Sequence, residues 1–129
     1  ASRLEGQSGE YGFQIIVGTD TVKSLSGYEI FELDLLAVKG KTQPVTIYTV
    51  FEGNESDVED AEAFRIAHQA FLRAYRGQDW DAAMRHIKAH ENKVPSFKHY
   101  YELFTARINM LQANPPGPEW AGVFVALSK

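Results

Sequence analysis

Three observations predict an α+β chain. Up to about residue 53, β-branched and aromatic residues alternate with polar ones. Beyond it, apolar residues recur at helical spacing among Ala, Arg and His. Between the two lies the polar, turn-forming string Gly53-Asn54-Glu55-Ser56-Asp57. The expected organisation is a strand-rich segment over residues 1–52, a linker over 53–57, helices over 58–114 and a C-terminal arm over 115–129.

The elements follow in order. Residues 2–11 read as the end of a helix, stopped by Gly9 and Gly12. Residues 13–17 form a short apolar strand, and Thr19 or Asp20 can cap a short helix through Val22 and Leu25. Residues 28–38 and 45–52 are rich in Tyr, Phe, Ile and Val and read as two strands. Gly40-Lys41-Thr42-Gln43-Pro44 between them supplies the turn of an antiparallel hairpin.

A helix over 57–76 is expected from Val58, Phe64, Ala67, Phe71, Leu72 and Tyr75, with acidic residues at its positive end. Gly77 stops it. Asp79 caps a second helix with Trp80, Ala83, Met84 and Ile87 on its buried stripe. After Pro95, Ser96 is the expected cap of a third helix through Tyr100, Tyr101, Phe104, Ile108 and Leu111, which Asn114-Pro115-Pro116-Gly117-Pro118 ends. Residues 123–127 read as a final strand or an extended arm.

Bulk composition narrows the function classes. Apolar content of 44% and charged content of 23% in 129 residues suit one ordinary domain or two small ones. A net charge of −4 argues against non-specific nucleic-acid binding, which needs clustered cations. With no cysteine, disulfides, thiolate metal sites and thiol catalysis are excluded. No apolar run reaches the roughly 20 residues that cross a bilayer.

Two cations stand out by context. An Arg on a helix is ordinarily a solvated surface residue, and a Lys beside a hairpin turn ordinarily serves solubility. Here Ala1-Ser2-Arg3-Leu4-Glu5 is followed by Tyr11-Gly12, Ile15-Ile16-Val17, Val38-Lys39-Gly40-Lys41 and Pro44-Val45-Thr46-Ile47-Tyr48, with Lys39 lying 36 residues after Arg3. In that joint order, residues 1–52 resemble the closing portion of a class III adenylate/guanylate cyclase catalytic domain, a ferredoxin-like fold of which this would be a part. The family signature is an Asn, three intervening residues and an Arg, within a string similar to V-N-L-A-S-R-L-E. The Asn would fall just before Ala1.

The resemblance implies roles. Arg3 would be the transition-state arginine, because a guanidinium stays charged and offers donors in a planar fork to phosphoryl oxygens. Lys39 would contact the β- and γ-phosphates of ATP, with Gly40 allowing close backbone approach. Lys41 reads as a solvated neighbour. The parent enzyme would use Mg or Mn, held by aspartates upstream of this chain, and would work as a homodimer in the cytoplasm, reaching a membrane only through upstream regions. Asp20, Asp34, Asp57, Asp60, Asp79 and Asp81 read as caps, strand edges or linker residues and not as metal ligands. The chain alone is therefore expected to be inactive as a phosphorus–oxygen lyase.

The helical part resembles one tetratricopeptide repeat through Trp80, Ala83, Ile87 and Pro95, with His90 where that repeat prefers a small residue. A helical binding or dimerisation module without catalysis is thus the competing expectation. His86 and His90 are four apart, but no Glu follows His86 and no third ligand is evident, so no metal site is read there. His68 and His99 fall on other helices.

Overall fold

In the computed structural model, the described residues are 11–13, 15–37, 43–52 and 60–125. The fold is α+β. The chain divides into two compact units, one of residues Ala1–Ser56 with Val123–Lys129 and the other Asp57–Gly122.

The first unit is built on a four-stranded mixed sheet. Strand β1 (Ile16–Gly18) leads into a short helix, α1 (Thr19–Lys23), and then into β2 (Tyr28–Ala37) and β3 (Val45–Glu52). A fourth strand, β4 (Val123–Val125), arrives only after the helices. The spatial order is β1-β3-β2-β4, with β3 antiparallel to both β1 and β2 and β4 parallel to β2. Of the two sequence alternatives for the C-terminal segment, Val123–Val125 takes the strand. Its partners are Leu35, Leu36 and Ala37, the closing residues of β2.

A register shift in β2 decides what the sheet buries. Phe31 faces Thr49 and Glu32 faces Tyr48, but Asp34, not Leu33, faces Ile47. Leu33 is thus the extra residue of a β-bulge, and the parity of the strand changes there. Phe31 before the bulge, and Asp34 and Leu36 after it, are all fully buried. Asp34 was expected at a strand edge; the bulge instead carries it inside.

Smaller differences from the sequence expectation have local causes. The first strand begins at Ile16 and extends through Gly18. Gly18 occupies the N-cap of α1, so neither Thr19 nor Asp20 makes a side-chain cap, and the helix ends before Leu25.

The second unit packs three helices, α2 (Ala61–Arg76), α3 (Trp80–His90) and α4 (Lys98–Ala113), with a 3-10 turn at Pro95–Phe97. Helix α2 starts where Asp60 accepts a hydrogen bond from the Ala63 amide at 3.1 Å, later than the acidic run suggested. Asp79 caps α3 as expected, accepting from the Ala82 amide at 3.2 Å. Ser96 does not cap α4. It lies inside the 3-10 turn, and Phe97 stands at the N-cap without a side-chain bond.

The buried stripe of α2 is Phe64, His68, Phe71, Leu72 and Tyr75, at i, i+4, i+7, i+8 and i+11. It meets Ala83 and Ile87 of α3, and Tyr100, Tyr101, Phe104 and Ile108 of α4 complete the core. Arg107 is buried among them, its guanidinium 4.5 Å from the centre of the Phe104 ring and donating to the Tyr75 hydroxyl at 3.4 Å.

The chain leaving α4 closes over this unit. Gln78, in the left-handed region at φ 64°, donates its side-chain amide to the Gly117 carbonyl at 2.6 Å. Trp120 lies edge-on to Tyr75 at 5.3 Å and 6.0 Å from Trp80. Gly122, at φ +88°, sits where an added Cβ would come within 2.2 Å of Arg76 Cγ.

Candidate functional site

Arg3 and Lys39, the two residues to which the sequence assigns phosphate chemistry, both lie outside the described residues, as do Lys41 and Asp57. What is described is the framework that flanks them in sequence. Strand β2 ends at Ala37, and β3 begins at Val45 as its antiparallel neighbour.

Within that framework the bulge brings together a buried polar pair. The Tyr11 hydroxyl donates to Asp34 Oδ2 at 2.6 Å, and the Leu35 amide donates to Asp34 Oδ1 at 2.8 Å. Both Tyr11 and Asp34 are fully removed from solvent. A carboxylate at such a place needs its acceptor sites filled, and the short O–H···O bond together with the backbone donor fills one on each oxygen. Thr49, on the partner strand, donates to the Ile15 carbonyl at 3.0 Å and so ties β3 to the start of β1. The pair therefore joins Tyr11, eight residues after Arg3, to a strand that ends two residues before Lys39.

A second group of chemistry-bearing side chains occupies the helical unit. His86 and His90 stack on α3 with ring centres 4.2 Å apart, as their spacing of four allows. His68 of α2 joins them, 6.2 Å from His86. Reading the sequence separates His68 from the pair. The signal that places it is its position four residues after Phe64 and three before Phe71, on the apolar stripe.

Tyr101 of α4 closes the group, its hydroxyl 2.7 Å from His86 Nε2. His90 Nδ1 lies 2.9 Å from the His86 carbonyl; a carbonyl only accepts, so this nitrogen carries the hydrogen. Burial holds the His86 imidazole down at about 3, and the neighbouring charges of His90 and His68 push the same way. Burial likewise raises the Tyr101 phenol well above its usual range. His99 is exposed on α4.

No group of three or more His, Cys, Asp or Glu among the described residues is arranged to hold a metal ion. Asp34 faces Tyr11 and its own strand, and the three histidines are stacked and walled by rings instead of converging on a point. The described residues do not fit a divalent-metal centre. No helix among them is long and apolar enough to cross a membrane.

Compared with family models, curated proteins and solved structures, the chain gives no significant match.

Proposed function

We propose that residues 1–52 are the C-terminal portion of a nucleotide cyclase catalytic domain, converting ATP to cyclic AMP and pyrophosphate, and that the helical unit is an extension of that enzyme. The observation that carries this reading is the antiparallel pairing of β2 with β3, in sequence on either side of Val38-Lys39-Gly40-Lys41. Its company is the ordered set of strings from Ser2-Arg3-Leu4-Glu5 to Pro44-Val45-Thr46-Ile47-Tyr48. In the reaction, the ribose 3′-oxygen attacks the α-phosphorus in line and pyrophosphate leaves. Arg3 neutralises charge that grows on the phosphoryl oxygens, and Lys39 holds the β- and γ-phosphates. A divalent ion would supply charge neutralisation to such chemistry, none of the described residues would hold it, and the working unit is a homodimer.

The test is steady-state kinetics on the parent protein. Arg3→Ala should lower kcat by about 100-fold or more, the usual consequence of removing a donor that acts in the transition state. Lys39→Ala should raise KM about tenfold, since it removes a charge-assisted contact to bound triphosphate. Normal turnover from Arg3→Ala would sink the assignment.

A second reading takes the helical unit as a tetratricopeptide-like binding module. Burial of Ala83 and Ile87 at the repeat's small and apolar positions favours it, as does Ile66, 62% exposed on α2. It predicts that the chain captures a partner segment and that Ile66→Glu abolishes the capture.

A further inference from the structure

The helical unit gathers three histidines among aromatic rings, with His68 buried and His86 and His90 half-buried. His68 stacks between Phe64 at 5.8 Å and Phe71 at 5.7 Å. His86 stacks on Phe71 at 5.0 Å, and His90 meets the edge of Phe64 at 5.5 Å. Phe97 from the 3-10 turn closes on His68 at 5.5 Å. Among the described residues, the titratable rings that meet the cluster are His68 from α2, His90 from α3, and Tyr100 and Tyr101 from α4.

Two opposing effects act on a proton entering here. An imidazolium stacked on Phe71 would gain a cation–π attraction. Against it stand the loss of hydration and the like charges of His90 and His68. The balance is decided at His86, where burial is the largest influence and the net effect is strongly against the charged form. A neutral His86 fits this site and a charged one does not.

We propose that protonation of His86, stacked between Phe71 and His90 and bonded to the Tyr101 hydroxyl, loosens the packing of α2 against α3 and α4, making the helical unit an acid-responsive element of the protein. The device stands apart from the cyclase reading and does not depend on it. The sign follows from linkage. Folded, His86 stays neutral down to about 3, whereas in an unfolded chain it takes a proton near 6.5. Below that pH the unfolded state binds more protons, so stability is full above it and falls with pH from 6.5 toward 3.

Both tryptophans of the chain, Trp80 and Trp120, belong to this unit, so intrinsic fluorescence reports on it selectively. Urea unfolding of the full chain followed this way should give an unfolding constant about tenfold larger at about pH 5.5 than at about pH 7.5, the factor for one proton taken up only by the unfolded state. His86→Gln should reduce that ratio at least about threefold. His99→Gln, at the exposed site, should leave it unchanged. An unfolding constant equal at the two pH values would overturn the proposal, as would His86→Gln keeping the full ratio or His99→Gln losing it. Imidazole NMR on the folded chain decides independently of any variant's ability to fold. His86 should stay neutral between the two pH values, and a midpoint near 6.5 in the folded state would refute the device.

Discussion

Asp34 shows how one residue's role depends on its neighbour's geometry. Its hydrogen bonds from the Tyr11 hydroxyl and the Leu35 amide are what make a fully buried carboxylate tolerable. Tyr11→Phe should therefore destabilise the sheet unit by about 1–3 kcal/mol, the usual cost of withdrawing a donor from a buried acceptor. Asp34→Asn, which keeps an acceptor oxygen, should be milder; thermal melting of the two variants side by side checks the order. Little of this was legible in the sequence. The sequence reading puts Asp34 at a strand edge, and nothing in the residue types announces the bulge at Leu33 that turns it inward. His68 was more legible, since it falls on the i, i+4 ladder of Phe64 and Leu72. An apolar-only pattern passes over it because a histidine does not count as core.

At the level of elements, signals with a local mechanism were readable and signals that depend on distant packing were not. Asp60 and Asp79 cap their helices because a carboxylate oxygen within the same turn can reach the free amides. Gly77 and Asn114 mark helix ends for equally local reasons. Ser96 fails as a cap because Pro95 opens a 3-10 turn that shifts the start of α4 to Lys98. Strand β4 carries a clear apolar run, but its partner lies far away in sequence, so residue types alone left strand and arm equally open. For the candidate site, the strands flanking Lys39 in sequence were legible; Arg3 and Lys39 themselves lie outside the described residues.

Gly122 tests the closing segment that ends the helical unit. At φ +88°, with Arg76 Cγ 2.2 Å from an added Cβ, Gly122→Ala combines backbone strain with a steric conflict. It should cost about 1–3 kcal/mol. The loss should be seen in tryptophan fluorescence unfolding, because Trp120 lies two residues away.

For the molecule as a whole, the sheet is interrupted by the helical unit and completed by residues beyond it. Val123 pairs with Leu35 across an interval of 88 residues. Deleting residues 123–129 would leave the outer backbone edge of β2 unpaired, and such edges template association. Sedimentation velocity on the shortened chain should show larger species than the full chain, while its tryptophan emission stays unchanged because both indoles belong to the helical unit. Equal sedimentation of the two chains would show that β4 does not guard that edge.

The same late strand sets a timetable on the ribosome. Strands β1 to β3 emerge first, and the edge of β2 then waits while the helical unit is made. At ordinary elongation rates of about 5–20 residues per second, that wait lasts roughly 4–15 s. During it the nascent sheet offers an open side to chaperones and to neighbouring polypeptides on the same message, and β4 must win that competition each time the protein is synthesised.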